Sequence, residues 1–358
     1  MITFLIILLI IVLIFQIRSL RGRALDSVSY SFKFSKHLVE PNEKFELISV
    51  ITNESRLIVP FLKVEESLPG QINILDEDAI IRPEGRGEIK HCYSAYLMPR
   101  SEFERRVPVS LPKRGLYRYS NTMMVCGDFL GMYGEWEQFG SAADVVVYPI
   151  PANLDRFQIM LGGFFGEISV RRFIMEDPIL NIGVREYTGA EPFSQISWKH
   201  SAKTARLMVK QFDYTSEPVV SVLLDISGGT SNITDIKLVE KCFSLARSVC
   251  EALESKKIQY DFISNAATAN ALSGWSYKSE GLGNTHLLSI LEGLGRASHK
   301  PRESFAVTVE KMKKHIEGNR SLICIMPERN AKKQQLVHRF TELKGGSILF
   351  IFGEDANE

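Results

Sequence analysis

Apolar and polar side chains alternate with period two over residues 27–150. The alternation is clearest at Val28, Tyr30, Phe32 and Phe34, since a polar residue separates each from the next. This period is typical of a β-strand with one buried face. Similar segments predict strands at Phe45–Thr52, Phe61–Ser67, Gly87–Leu97, Glu102–Leu111, Leu116–Cys126 and Asp144–Tyr148. Short strands separated by turns rich in Pro, Gly and Asn predict an immunoglobulin-like β-sandwich.

The pattern changes to alternating strands and helices over residues 219–358. Continuous apolar runs predict buried strands, and apolar residues three and four apart predict helices, the first from about Asp235 to Lys256. The predicted strands are Val219–Leu224, Ile258–Ile263, Leu322–Met326 and Ile348–Phe352. This order is typical of an α/β domain, in which helices cover both faces of a mostly parallel sheet. Ligands of such sheets bind beyond the carboxyl ends of the strands, where Asp225 and Ser227 follow the first strand.

The most apolar stretch is Ile2–Ile17, which predicts a transmembrane anchor over residues 1–20. A cleaved signal peptide is the alternative, but a basic start and a small-residue cleavage site are both absent from the sequence. The run is followed by the basic residues Arg18, Arg21 and Arg23. By the positive-inside rule the rest of the chain is then cytoplasmic. The expected localisation is that of a single-pass protein of the cell membrane.

These patterns divide the 358 residues into an anchor, a β-sandwich, a connector and an α/β domain. The connector, residues 151–218, has no clean long period. The predicted fold class is therefore α+β multidomain, with an N-terminal membrane helix, an immunoglobulin-like β-sandwich and an α/β domain. The length agrees with more than one folded domain, since it exceeds that of one typical core.

Composition and missing motifs exclude several classes of function. The net charge is +1, whereas a protein that neutralises nucleic-acid phosphates usually carries a basic excess. The five cysteines show neither zinc-site nor C-x-x-C spacing, which predicts free thiols. The sequence also lacks phosphate-binding glycine loops and the H-E-x-x-H and G-x-S-x-G motifs. A binding protein is therefore favoured over an enzyme.

The connector concentrates charged residues around Trp198. Lys199, Lys203, Arg206 and Lys210 form a basic run there. A solvated or internally paired face is one interpretation of this run, and a docking surface for an acidic partner is the other.

A hydrolase is the alternative from a different class. It would use Asp225 together with Glu186 or Glu191 of the connector, because paired carboxylates can act as general acid and base. Carboxylates converging on one point in a deep pocket would favour this enzyme, whereas individually paired carboxylates would favour a scaffold.

The connector resembles the bacterial family catalogued as domain of unknown function 58. The resemblance rests on Arg185, Glu186, Tyr187, Ile196, Trp198, Lys199, Ser201, Ala202 and Leu207. Where the family has Gly-Asp this chain has Ala190-Glu191, and Lys203 stands for an Arg. The Arg and Asp of the family's Trp motif are replaced by Ser194 and Ser197. The chain is thus similar to a divergent member of the family.

The resemblance implies that the α/β domain is von Willebrand factor A-like. Domains of that type often hold Mg²⁺ through Asp-x-Ser-x-Ser, with a Thr and an Asp from other loops. Asp225 and Ser227 match this motif, Gly229 replaces its third residue, and Thr285 is the candidate for the Thr. The acid after the fourth strand is absent, and Glu328 is the nearest. We therefore expect a degenerate site with weak or no Mg²⁺ binding, in which Asp225 caps backbone amides, and no other cofactor.

The resemblance also implies a partner. Members of the family are often accessory proteins of MoxR-type AAA+ ATPases, which implies a role in protein or complex assembly. The predicted function is a membrane-anchored, cytoplasmic binding or scaffold protein. We further expect Arg185, Glu186 and Trp198 to pack against the α/β domain, with Arg185 in a charge-assisted pair.

Overall fold

The computed structural model describes residues 3–7, 10–11, 25–76, 79–84, 87–119, 121–127, 134–140, 142–174, 181–189, 191–212, 219–228, 235–269, 276–315, 320–344 and 346–356. The chain divides into two compact units. The first comprises residues 1–150 with Leu294–Arg296, and the second comprises the rest, including the connector.

The first unit is built mainly from strands in its described residues. They are β1 (Val28–Phe34), β2 (Leu38–Val39), β3 (Lys44–Asn53), β4 (Val59–Pro69), β5 (Asn73–Ile74), β6 (Ile80–Glu84), β7 (Glu88–Leu97), β8 (Glu102–Ser110), β9 (Gly115–Tyr119), β10 (Asn121–Gly127), β11 (Gly134–Phe139) and β12 (Ala143–Val147). One sheet has the order β1-β3-β8-β5, the second β11-β10-β4-β7-β6, and a smaller third β2-β12-β9. Neighbouring strands are antiparallel, except for the short parallel pair β12 and β2.

The core of this unit follows from the period-two pattern. Phe45 and Leu47 of β3 are buried and lie opposite Val109 and Val107 of β8. Successive residues of a strand point to opposite faces, so one apolar set is enough to cover the inner side of each sheet. The predicted β-sandwich is therefore confirmed for this unit.

The second unit alternates strands and helices. Its strands are β13 (Asn181–Glu186), β14 (Met208–Phe212), β15 (Val219–Leu224), β16 (Gln259–Ser264), β17 (Ala266–Thr268), β18 (Tyr277–Gly281), β19 (Ala297–Pro301), β20 (Ser321–Met326) and β21 (Ile348–Phe352). Its helices are α1 (Gln158–Ile174), α2 (Trp198–Thr204), α3 (Ile236–Ser255), α4 (Asn284–Arg296), α5 (Phe305–His315) and α6 (Ala331–Lys344), with short 3₁₀ turns at Asp155–Phe157, Phe193–Gln195 and Gly353–Asp355.

The main sheet of this unit has the order β18-β16-β15-β20-β21. Strands β16, β15, β20 and β21 run parallel, and the edge strand β18 runs antiparallel to β16. Every residue of β20 is buried, as is every residue of β15 after Val219. A central strand that is covered on both faces reads as a continuous apolar run, and this explains why the bounds Val219–Leu224 could be predicted.

The predicted membrane anchor and its single-pass localisation are corrected by the structure. In the described part of the chain, no helix is both long enough and apolar enough to cross a membrane. Within the run Ile2–Ile17, residues 3–7 and 10–11 are helical, and the others lie outside the described residues. Hydropathy alone measures how apolar a stretch is, and it carries no information on how far a helix extends.

The predicted fold class is corrected as well. The chain is predominantly a β protein with sheets of mixed strand direction, instead of the α+β class with a membrane helix. Part of the difference arises in the connector, where β13 and β14 form an antiparallel hairpin that the sequence pattern did not predict. A short polar hairpin has no strong period, because little of either face is buried.

Candidate functional site

Asp225 lies directly after β15, at the carboxyl end of the main sheet. Its side chain is fully buried. One carboxylate oxygen, Oδ1, accepts hydrogen bonds from the Ser227 hydroxyl at 2.6 Å, the Ser227 N–H at 2.9 Å and the Asn265 side-chain amide at 2.6 Å. Burying a carboxylate is costly unless it is paired and hydrogen-bonded, so these donors compensate for part of the lost hydration.

The other oxygen of Asp225 is bound by a lysine that the sequence patterns did not predict. Lys333 Nζ donates to Asp225 Oδ2 at 2.6 Å, and it also lies 2.7 Å from the Ser227 carbonyl and 3.0 Å from the Ser227 hydroxyl. Lys333 is near the start of α6, where Asn330 Oδ1 accepts from the N–H groups of Lys332 and Lys333. The sequence offers no signal for this contact, because more than a hundred residues separate the two partners.

Asn265 is the second site residue that was not predicted. It follows β16 directly, is buried, and its Oδ1 accepts from the Ile226 N–H at 2.9 Å. The position of Asn265 could have been predicted from the sequence. The carboxyl ends of neighbouring parallel strands meet at one edge of a sheet, so the polar residue after β16 belongs beside the polar residue after β15.

The structure separates Thr285 from Asp225 and Ser227, and this corrects the predicted metal site. Gly283, just before the helix that carries Thr285, donates to Glu254 in the last turn of α3. His286 contacts the backbone carbonyl of Tyr260, near the amino end of β16. Thr285 therefore lies at the amino end of the sheet, roughly 13 Å of strand away from its carboxyl end.

With Lys333 in place, the remaining ligands do not fit Mg²⁺. Gly229 lies outside the described residues, and the described partners of the Asp225 carboxylate are Ser227, Asn265 and Lys333, without Glu328. The described residues hold no group of three His, Cys, Asp or Glu side chains that could bind a metal. A divalent cation beside Asp225 would lie against the ammonium of Lys333, and two positive charges repel strongly in a buried site.

The connector residues form a separate module, which we define as residues 181–212. Strands β13 and β14 pair antiparallel, and the segment between them contains the short helix α2. Ile196 and Val209 are its buried apolar residues and are joined by a β-bridge. The Ser201 hydroxyl donates to the Ser197 carbonyl at 2.9 Å and accepts from the Met208 N–H at 2.8 Å. Ser201 thus fastens helix to strand.

Two arginines of the connector module form ion pairs with acidic residues of the same module. Arg185 contacts Glu191 at 2.6 Å, and Arg206 contacts Glu186 at 2.6 Å. The Thr188 hydroxyl, more than the Arg185 guanidinium, lowers the pKa of Glu191 to about 2. The charge-assisted pair predicted for Arg185 is present, but Arg185 is exposed, and the expected loss of stability on its truncation is therefore small.

The predicted packing of Trp198 is wrong. Its side chain is 66% exposed, and Phe193 and Leu207 of the same module are 71% and 45% exposed. Tyr187 is half-buried, with its ring centre 6.2 Å from that of Phe193. Trp198 is the first residue of α2, and it follows two buried positions, Ile196 and Ser197, whereas its own side chain faces solvent.

Basic side chains flank the exposed tryptophan. Lys199 and Lys203 are exposed, and neither ammonium has an ion-pair partner among the described residues.

The hydrolase alternative gains no support from the positions of its three carboxylates. Asp225 binds Lys333, Glu186 binds Arg206 and Glu191 binds Arg185, so the three carboxylates share no partner in the described part of the chain.

The first unit contains a buried polar cluster that the sequence patterns did not predict. Glu66 and His91 are fully buried, and His91 Nδ1 lies 2.9 Å from Glu66 Oε2. The other oxygen accepts from the hydroxyls of Tyr30, Ser49 and Tyr93. Burial raises the pKa of Tyr30 and Tyr93, so both hydroxyls keep the protons that they donate.

Three comparisons with known proteins were made. No family model matches the sequence. No curated protein is significantly similar to it. Similar solved structures include the CARDB domain of a Pyrococcus furiosus protein, at 17% identity and a TM-score of 0.23, covering 34% of this chain and 91% of that one. A non-cellulosomal cohesin from Archaeoglobus fulgidus has 10% identity and a TM-score of 0.24, covering 33% of this chain and 91% of that one.

A cohesin module from a Clostridium perfringens family 33 glycoside hydrolase has 11% identity and a TM-score of 0.23, covering 34% of this chain and 96% of that one. Likenesses of this extent carry no argument about function. The correction of the fold class rests on the sheets described above, and its von Willebrand factor A-like part is not retained.

Proposed function

We propose that the chain is a protein-binding scaffold that binds an acidic segment of a partner protein through the exposed face of its connector module. The observation that carries this proposal is the exposure of Trp198, which is 66% accessible. Lys199 and Lys203 of the same helix are also exposed, and their ammonium groups have no ion-pair partner in the described part of the chain. Tryptophan is the residue most strongly associated with the few contacts that dominate binding energy in protein interfaces.

The charges around Trp198 specify the kind of partner. Two lysine side chains without ion-pair partners in the described residues extend from the same short helix. Opposite charges across an interface steer association and fix its orientation, so an acidic segment is the complementary partner. An apolar residue of that segment would contact the indole.

Hydrogen bonds within the connector module fix its conformation before a partner binds. The Ser197 N–H donates to the Met208 carbonyl at 2.8 Å, and Ser201 binds both α2 and β14. The left-handed conformation of Ala205, with φ +53°, ends the helix and leads the chain back to Leu207. A surface that is ordered before binding loses less entropy when it binds.

The resemblance to domain of unknown function 58 implies which partner to test first. A MoxR-type AAA+ ATPase is the partner that the resemblance implies, and assembly of a protein complex is the process. The match of Trp198, Lys199 and Ser201 to the family motif lies in the segment that forms the exposed face.

The test measures binding of a purified MoxR-type ATPase to the full-length chain by isothermal titration. We expect Trp198→Ala to weaken binding at least about tenfold, because a central tryptophan contributes on the order of 2 kcal/mol or more. Trp136→Ala is the matched control, since Trp136 of β11 is 69% exposed in the first unit, and it should leave binding unchanged.

Charge reversal tests the acidic character of the partner. Lys199→Glu with Lys203→Glu should lower the association rate and remove much of its salt dependence. Equal affinities for the Trp198→Ala and Trp136→Ala variants would contradict the proposed surface, and an ATPase that does not bind the unaltered chain would contradict the proposed partner.

A further inference from the structure

We propose that Lys333 is the resident cation of the Asp225 site, and that its ammonium takes the position of a divalent metal ion and holds residues 225–228 without metal. The hydrogen-bond acceptors of Nζ in the described residues are all oxygen atoms. They are Asp225 Oδ2 at 2.6 Å, the Ser227 carbonyl at 2.7 Å, the Ser227 hydroxyl at 3.0 Å and the Gly228 carbonyl at 3.4 Å. Carboxylate, hydroxyl and carbonyl oxygens are the ligands that hard cations bind in proteins.

The carbonyl and hydroxyl groups around Nζ all direct oxygen lone pairs toward it, as expected around a cation. Two successive carbonyl groups, those of Ser227 and Gly228, turn toward the same position. The Ser227 hydroxyl donates its proton to Asp225 Oδ1, so it offers Nζ a lone pair. Oxygens that converge in this way repel one another unless a positive charge lies between them.

The placement of Lys333 is unusual for a helix. It lies in the first turn of α6, where the helix dipole disfavours a positive charge. Its side chain is only 14% exposed, so water screens the charge weakly. The fully buried carboxylate of Asp225 supplies the compensation, and the ring of Phe305, 5.5 Å from Nζ, adds a weaker cation–π contact.

A covalently attached cation has two consequences for the site. It cannot be removed by a chelator, so the loop keeps its form whether or not divalent ions are present. Its donors are directed at oxygens of its own chain, which leaves no open metal position for an acidic residue of a partner. Binding of an acidic peptide through the connector module, which rests on the proposed function, should therefore be insensitive to EDTA.

The test compares thermal unfolding of the full-length chain in EDTA, Mg²⁺ and Mn²⁺. The unaltered chain should show the same Tm in all three. Lys333→Ala should lower the Tm in EDTA by at least about 5 °C, and Mg²⁺ or Mn²⁺ should restore at least half of the loss. Asp225→Ala with Lys333→Ala should abolish that restoration. Lys332→Ala removes the neighbouring exposed lysine and should change neither the Tm nor its response to metal.

Two results would overturn the proposal. One is saturable Mn²⁺ binding by the unaltered chain, measured by electron paramagnetic resonance, that disappears in Asp225→Ala. The other is a Lys333→Ala variant whose Tm does not respond to divalent ions. If Lys333→Ala does not fold, Lys333→Met keeps the aliphatic stem, and metal-dependent recovery of its folding replaces the Tm comparison. Recovery then supports the proposal, and folding that stays independent of metal overturns it.

Discussion

The two units each bury a carboxylate completely, but they compensate it in different ways. Glu66 of the β-sandwich is surrounded by three hydroxyl groups and the imidazole of His91. Asp225 of the second unit has two side-chain donors, one backbone N–H and the ammonium of Lys333. The first set consists mainly of hydroxyl groups, whereas the second includes the ammonium of a lysine.

Because of this difference, removing the charge of Asp225 should destabilise the protein more than removing the charge of Glu66. Around Glu66 three of the four partners are hydroxyl groups, which stay uncharged when the charge of Glu66 is removed. Around Asp225 the loss of the carboxylate leaves an ammonium that is 14% exposed and, within the described residues, close to three other oxygens only. An uncompensated buried charge is far more costly than an unsatisfied neutral group.

Removing the Asp225 carboxylate is the strongest way to break this comparison. Asp225→Ala should lower the free energy of unfolding of the second unit by about 3–5 kcal/mol, because Lys333 stays buried without its partner. Chemical denaturation of the full-length chain measures the loss. Asp235→Ala removes only the capping carboxylate of α3 and should cost about 1 kcal/mol. A loss at Asp225 no larger than the loss at Asp235 would refute the difference drawn here.

Neutralising Glu66 should have a smaller effect. Glu66→Gln keeps an oxygen that accepts from the tyrosine and serine hydroxyls, and it turns an amide toward His91. The expected loss is about 1–2 kcal/mol, for one or two hydrogen bonds that no longer fit. Glu65→Gln is the matched control, because Glu65 is the neighbouring residue in the sequence. Its carboxylate pairs with two partly exposed lysines, Lys63 and Lys90, so its neutralisation should lower the free energy of unfolding less. A loss of Glu66→Gln that equals that of Asp225→Ala would show that the β-sandwich also depends on charge.

A third buried carboxylate sharpens the comparison through pH. Asp261 of β16 is fully buried, and its Oδ2 accepts from Arg320 at 2.8 Å. Its Oδ1 has no hydrogen-bond partner in the described residues. Burial, which outweighs the attraction of Arg320, raises the pKa of Asp261 to about 6. One cation and one unsatisfied oxygen therefore stabilise the charged form of Asp261 less well than water does.

The sign of the pH effect follows from that raised pKa. Between the unfolded and the folded pKa the native state binds more protons than the unfolded state, so this group's contribution to stability falls as pH rises. From about pH 5 to about pH 7.5, the unfolding free energy of the unaltered chain should fall by about 1 kcal/mol relative to Asp261→Asn. Urea titrations of both chains measure the difference. A constant difference across this range would contradict the raised pKa.

Much of the fold was predictable where one face or both faces of a strand are buried. The alternation at Val28–Phe34 and the apolar run Val219–Leu224 correspond to strands with the predicted bounds, because burial restricts which residues each position accepts. The hairpin of β13 and β14 was not predicted, since only Val209 is buried among the hairpin residues whose burial is described, and a period-two pattern needs one buried face. The placement of Asp225 at a sheet end could also be predicted, because that position follows from chain direction alone.

The sequence by itself determined the identity of the charged groups and the ends of the strands that carry them. Only the tertiary structure decided which charges meet. Lys333 could have remained on the solvated face of α6, and Thr285 could have joined Asp225, as far as the order of residues is concerned. The antiparallel edge strand β18 instead returns the chain to the amino end of the sheet before α4, and α6 begins with its Lys333 side chain against Asp225. The physical reason is that pairing of buried charges depends on distances of a few ångströms, which the packing of strands and helices sets.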